Sequence, residues 1–219
     1  MLYNKTIFAG FRSFSFVDFP GKLSSVLYTG GCNFKCPWCH NWKIAFGEKY
    51  NFLTEKDLYQ NLKKAFKRID ALTITGGEPT IHDDLTDYIN RIKKEFEVAI
   101  KLDTNGSNPK KVSEIIQEGN IDYIAMDIKS SPKNYKNLTG LKKNYWNSVF
   151  ETLGMLRNSK IDYELRMTYV NGLSKKYDLK FFESIVLSDE KVFITNANST
   201  DIYKVKEKEI FKSEKLTVR

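Results

Sequence analysis

Short apolar or β-branched runs alternate with longer amphipathic stretches along almost the whole chain, and few folds accommodate that rhythm. Residues 25–29, 71–75, 98–102, 123–128, 162–170 and 191–195 read as strands. Between them, helices are expected over 54–68, opened by the capping signal Thr54-Glu55-Lys56-Asp57, and over 82–95, 109–118, 144–159 and 175–186. Consecutive β/α units favour parallel strands joined by right-handed crossovers. Six such units are too few for a closed eight-fold barrel, so the expected fold is α/β, a partial (β/α)6 barrel of parallel strands rather than a doubly wound sheet. Pro20, Pro37, Pro79, Pro109 and Pro132 all fall between expected elements, where a missing N–H does no harm. The 219 residues suit one domain, 1–219, with a charged C-terminal extension from about residue 204. Within it, 206–219 reads as a terminal helix or a frayed tail.

The charge is basic, 35 Lys+Arg against 27 Asp+Glu for a net +8. It is mostly lysine with acidic residues interspersed, as at Lys63-Lys64, Lys93-Lys94 and Lys175-Lys176, which reads as solvated helix faces. No aromatic-and-arginine RNA-binding signature is present, so no nucleic-acid partner is indicated. There is no long apolar run for a membrane span, and the N-terminus Met1-Leu2-Tyr3-Asn4-Lys5 lacks the apolar segment of a signal peptide. A soluble, cytoplasmic protein with no membrane partner is expected.

All three cysteines are local: Cys32, Cys36 and Cys39, in Gly30-Gly31-Cys32-Asn33-Phe34-Lys35-Cys36-Pro37-Trp38-Cys39-His40-Asn41. That excludes a disulfide framework spread over a secreted fold. Three thiolates suit soft iron or zinc. Cys36-Pro37-Trp38-Cys39-His40 formally matches a c-type haem motif, but haem attachment needs export. Its Cys-x-x-Cys matches a redox dithiol, but that leaves Cys32 unexplained. A zinc site of three cysteines and His40 requires the adjacent Cys39 and His40 to face one ion. An iron–sulfur cluster with one iron lacking a protein ligand accounts for all three cysteines, and such an iron is open to a substrate.

Cys-x3-Cys-x2-Cys with an aromatic, Trp38, before the third cysteine resembles the radical S-adenosylmethionine superfamily. Further segments resemble it in the same order: Thr75-Gly76-Gly77-Glu78-Pro79, then Lys101-Leu102-Asp103-Thr104-Asn105-Gly106, then Tyr123-Ile124-Ala125-Met126-Asp127-Ile128-Lys129, and Arg166 within Tyr163-Glu164-Leu165-Arg166-Met167-Thr168. The segments at 101–106 and 123–129 are similar to those of pyruvate formate-lyase activating enzyme, and Ser15-Phe16-Val17-Asp18-Phe19-Pro20-Gly21-Lys22-Leu23 narrows the resemblance to the activating proteins of anaerobic ribonucleoside-triphosphate reductase and their near relatives. It spans about residues 8–172. Two departures stand out: Asn171-Gly172 replaces the usual Pro-Gly, and the only histidines are His40 and His82, so a histidine found near the cavity of some activating enzymes has no counterpart.

The resemblance implies a 4Fe-4S cluster on Cys32, Cys36 and Cys39, whose open iron chelates S-adenosylmethionine. It implies cofactor binding by Trp38, Gly76, Gly77, Glu78, Asp103, Thr104, Asn105 and Asp127, with Asp103 and Asp127 helping to hold a monovalent cation against the cofactor carboxylate. Lys129 is implied on the substrate side, and Arg166 reaches toward the cofactor. The implied partners are a glycyl radical enzyme, an anaerobic ribonucleotide reductase above all, and a flavodoxin or ferredoxin-type electron donor. Independently, a barrel builds chemistry at the carboxyl ends of its strands, and Cys32, Gly76, Asp103 and Lys129 follow strands one to four. Each segment also has a plainer reading: a tight turn at Gly76-Gly77, an Asn-Gly turn at Asn105-Gly106, a structural ion pair at Asp127 and Lys129, and the same at Arg166. Two other functions stay open. One is a small-molecule substrate, as in 7-carboxy-7-deazaguanine synthase; the other is a non-catalytic module stabilised by zinc.

Overall fold

The computed structural model describes residues 5–47, 52–205, 207, 209, 211 and 216–218. Its eight strands form one sheet in sequence order: β1 (Phe8–Phe19), β2 (Lys22–Thr29), β3 (Ala71–Gly76), β4 (Ala99–Thr104), β5 (Tyr123–Asp127), β6 (Asp162–Tyr169), β7 (Lys191–Asn196) and β8 (Thr217–Val218). From β2 to β8 every neighbouring pair is parallel, and β1 is antiparallel to β2. The six expected strands are β2 to β7, and the open, partial barrel of parallel strands is the observed architecture.

Helices α1 (Trp42–Phe46), α2 (Glu55–Ala65), α3 (Leu85–Phe96), α4 (Pro109–Glu118), α5 (Tyr135–Thr139), α6 (Trp146–Asn158) and α7 (Lys176–Ile185) fill the crossovers. Local chemistry sets their ends. The Thr54 hydroxyl accepts from the Asp57 amide at 3.1 Å and opens α2. Pro109 occupies the first turn of α4, and Gly119, at φ 72°, closes it.

The structure differs from the sequence reading in several places. Strand β1 was not expected, because register shifts at Phe8/Gly10, Arg12/Ser15 and Ser15/Phe19 break its period-two pattern. Helix α3 starts at Leu85 rather than at residue 82. Pro79–Ile81 forms a separate 3-10 turn, and His82 is buried with its Nε2 2.9 Å from the Gly30 carbonyl oxygen. Helix α6 starts at Trp146 because the Asn144 side chain accepts from the Trp146 amide at 2.9 Å. The five-residue helices α1 and α5 were not expected. In the terminal segment, Thr217–Val218 is a strand paired with β7, not a helix; residues 206, 208, 210, 212–215 and 219 lie outside the described residues, as do 1–4 of the N-terminal reading.

The main core lies between the sheet and its helices. Leu72, Ile74, Ile100, Leu102, Ile124 and Leu165 are buried there against Leu58, Ile89, Ile92, Val112, Ile115 and Leu153. A separate small cluster, Phe19, Ala71 and Tyr123 with Ala99 against it, fills the other face at the amino ends of the strands. The Phe19 and Tyr123 rings are 5.9 Å apart, so Phe19 of the hairpin motif plugs the barrel floor. Among the described residues no helix is long and apolar enough to cross a membrane.

Candidate functional site

The cysteine loop leaves β2 at Thr29 and is held from three sides. From β3, the amides of Gly77 and Glu78 donate to the carbonyls of Thr29 and Gly31, both at 2.9 Å. This contact requires glycine: a Cβ on Gly77 would sit 1.8 Å from the Gly31 oxygen, and Gly76 has φ 124°. The β4 side contributes Asn105, whose Nδ2 donates to Asn33 Oδ1 at 3.0 Å, and Ser107, whose hydroxyl accepts from Asn33 Nδ2 at 2.7 Å. On the α5 side, the Thr139 carbonyl accepts from the Lys35 amide at 2.9 Å, and the Leu138 carbonyl accepts from the Trp38 indole N–H at 3.0 Å. The bonds from Lys35, Trp38 and Asn33 fix the loop that carries the three thiols.

Glu78 ties this region together. Its carboxylate is 1% exposed and accepts from the Thr80 amide and hydroxyl, the Thr104 hydroxyl at 2.7 Å and the Asn105 amide at 2.7 Å. Burial pushes its carboxyl up, and those donors oppose the shift. The side chain is therefore consumed in joining the β3 and β4 loops.

Inside the barrel, three strands contribute alternating charges. The Lys101 ammonium donates to Asp103 Oδ1. Arg166 Nη1 donates to Asp103 Oδ2 at 3.3 Å, and its Nε to Asp127 Oδ1 at 2.9 Å. Lys129 Nζ donates to Asp127 Oδ2 at 2.9 Å and lies 5.4 Å from the centre of the Trp38 ring. Buried Glu164 accepts from the Tyr123 hydroxyl at 3.2 Å. Burial alone would raise the Asp127 carboxyl, but Arg166 and Lys129 hold it well below the usual carboxylate range. The plainer reading of Asp127 and Lys129 as an ion pair is thus fulfilled, and both still face a cavity.

That cavity, of about 210 Å³, is lined by Cys32, Cys36, Cys39, Trp38, Gly76, Gly77, Glu78, Asp103, Thr104, Asn105, Asp127, Lys129 and Arg166. Every site residue expected from the sequence is brought to it. Phe34, Asn41 and Thr168 line it as well, and sequence reasoning missed them. Asn41 carried a usable signal, since it closes the cysteine motif; its Nδ2 donates to the Gly76 carbonyl at 3.0 Å. Lys101 and Glu164 were also missed as charges of the interior, although each lies two residues from a flagged residue and so shares its strand face. Beside the cavity runs a groove of about 740 Å³, sharing His40 and Asn41 with it and bounded by Gly10, Arg12 and Tyr28 on one side and Ser199 to Asp201 on the other.

The thiols favour some chemistries over others. Burial raises all three, Cys36 to about 12, with Glu78 adding to the rise at Cys32 and Lys129 opposing it at Cys36 and Cys39. A redox dithiol would leave Cys32 without a role, whereas all three sulfurs line the same cavity. Among the described residues no three His, Cys, Asp or Glu side chains are grouped to hold a single metal ion. A multi-iron cluster takes one thiolate per iron, and all three cysteines line one cavity.

The Radical SAM superfamily profile matches residues 26–185, from β2 to the end of α7. The chain belongs to that superfamily. A protein of Methanocaldococcus jannaschii, provisionally named as a glycyl-radical enzyme activating enzyme, is 30% identical over 91% of this chain and 83% of its own length. The 7-carboxy-7-deazaguanine synthase of Clostridium acetobutylicum is 28% identical over 56% of this chain, which spans 55% of that enzyme. In fold, the chain is similar to Streptococcus suis SuiB bound to S-adenosylmethionine, with a TM-score of 0.66, 17% identity, and coverage of 84% of this chain and 43% of that one. Radical SAM membership implies a 4Fe-4S cluster and S-adenosylmethionine. The donor set fits them: three thiols on one cavity, no other cysteine in the chain, and a polar pocket continuing to the strand ends.

Proposed function

We propose that this radical SAM enzyme cleaves S-adenosylmethionine reductively and thereby removes one hydrogen from the Cα of a glycine in a partner enzyme, an anaerobic ribonucleotide reductase being the first candidate. The carrying observation is the single cavity that joins the three thiols to Gly76–Gly77, Asp103–Asn105 and the Asp127, Lys129 and Arg166 group. Similarity to the M. jannaschii protein supports the substrate class. So does the groove beside the cavity, which lies between the β1 edge and the segment after β7, where a protein loop has room to approach.

Each residue then has a task. Cys32, Cys36 and Cys39 hold the cluster, which supplies one electron to the cofactor sulfonium when reduced by a flavodoxin or ferredoxin-type donor. The Gly76–Gly77 segment, braced by Glu78, would hold the cofactor amino group. Thr104 and Asn105 hold the adjoining wall. Asp103 and Asp127 hold positive charge against the cofactor carboxylate: that of Arg166 in the geometry described, and that of a monovalent cation if one enters. Trp38 forms an aromatic wall and Lys129, above it, faces the substrate. Buried walls keep water away from the reacting carbon.

The test is anaerobic incubation of the reduced, reconstituted protein with S-adenosylmethionine and the reductase. A doublet in the electron paramagnetic resonance spectrum, from coupling to the hydrogen left on Cα, is expected together with one 5′-deoxyadenosine per radical. Similarity to the deazaguanine synthase supports a second reading, a small-molecule substrate. Turnover of a purine-like substrate with no protein radical would favour it.

A further inference from the structure

Lys101 is 1% exposed and carries a positive charge inside the barrel, yet it does not line the cofactor cavity. Strand register sets it between Thr73 of β3 and Tyr123 of β5, one layer below Asp103. A buried ammonium is tolerated only when it is paired. The partner is Asp103: Lys101 Nζ donates to Oδ1. The second oxygen, Oδ2, then faces Arg166 Nη1 at 3.3 Å, and Arg166 passes the constraint on to Asp127 at 2.9 Å. Asp103 stands at the cavity wall with its side chain 14% exposed, so its orientation is set from below, by a group that does not line the cavity.

We propose that Lys101 is a positioning residue, holding the Asp103 carboxylate turned toward Arg166, and that it influences cofactor binding only through Asp103. This rests on the reading of the cavity as the S-adenosylmethionine site. Apolar side chains fill the equivalent interior layers of an ordinary barrel, and a methionine would fill the space of Lys101. A lysine that pairs upward with a wall residue has a use in the site above it.

The experiment measures S-adenosylmethionine affinity by equilibrium dialysis on anaerobically reconstituted protein, with iron content and melting temperature as parallel readouts. Lys101→Met and Asp103→Asn are each expected to weaken binding by about ten-fold with iron unchanged, and the double variant to bind no more weakly than Asp103→Asn. Normal affinity in Lys101→Met with a lowered melting temperature would overturn the proposal, since that is the mark of a merely structural lysine. If Lys101→Met does not fold, the double variant leaves no uncompensated charge, and its affinity is compared with that of Asp103→Asn. Equal affinities support the proposal and a further loss of about ten-fold overturns it. Failure of the iron-loaded wild type to bind the cofactor would remove the underlying reading, and the proposal with it, which is distinct from failure of the variants alone.

Discussion

Strands β4, β5 and β6 have two faces made of different material. Toward the helices they present Ile100, Leu102, Ile124, Met126, Leu165 and Met167, every one of them 1% exposed or less. Toward the barrel interior the same strands present Lys101, Asp103, Asp127 and Arg166, joined in a chain of ion pairs, with Glu164 beside them. Strands buried on both faces in a parallel sheet ordinarily read as continuous apolar runs. Here alternation persists because the inner face surrounds a site. The outer face is held by volume, where a neighbouring apolar side chain can partly replace another. The inner face is held by pairing, where each charge has a particular partner and its loss strands the other.

This contrast can be broken most completely at the cysteine loop. Cys32→Ala, Cys36→Ala or Cys39→Ala should abolish both cluster retention and cofactor cleavage, read as loss of iron and of 5′-deoxyadenosine formation, while the fold survives. Retained cleavage in any one of them would contradict the three-thiolate assignment.

On the outer face, Leu72→Ala should cost about 2–5 kcal/mol of stability in denaturant unfolding, the usual range for an emptied leucine site. Cofactor affinity of the folded variant should be unchanged. An equal loss of affinity would mean that the two faces are not separable.

On the inner face, Asp127→Asn should cost about 1–3 kcal/mol at neutral pH, because Arg166 and Lys129 lose a charged acceptor, and should also weaken cofactor binding without loss of iron. The cost should depend on pH in a set direction. The folded-state Asp127 carboxyl lies below the usual range. Its contribution is therefore complete above the unfolded-chain value of about 3.9 and fades as pH falls toward the folded value. Wild type and variant should converge in acid, and a gap that widens below about pH 4 would contradict the pairing.

Outside both faces the smallest effect is expected. Lys43 and Asp201 pair at 3.5 Å beside the groove, with side chains 65% and 73% exposed. Lys43→Met should change stability by less than about 1 kcal/mol, as for other exposed pairs.

The fold was legible where period and punctuation agreed. β3 to β7 and α4 follow from apolar runs bounded by Pro, Gly or Asn, and Pro109 to Glu118 is the observed α4 in full. β1 was hidden because its bulges scramble the alternation of Phe8, Phe11, Phe14, Phe16 and Phe19. α5 was hidden because five residues carry too little periodicity; docking against Lys35 and Trp38 specifies it instead. The site residues were legible because their spacing is local, as in Cys32 to Cys39 and Gly76 to Glu78. Glu78 shows the limit of such reading: the motif marked it, but only the structure reveals that its carboxylate is spent on Thr80, Thr104 and Asn105. The task of Lys101 was not legible in its motif, because its partner choice depends on burial that a sequence does not display.

The cysteine loop, on the same cavity as the charged inner face, should hold one cluster on three thiols. Iron and acid-labile sulfide, determined per chain after anaerobic reconstitution, test it most directly. About four of each are expected, since one cubane uses Cys32, Cys36 and Cys39 and leaves no cysteine for another. About eight irons per chain, or a single tightly held zinc with no sulfide, would contradict it.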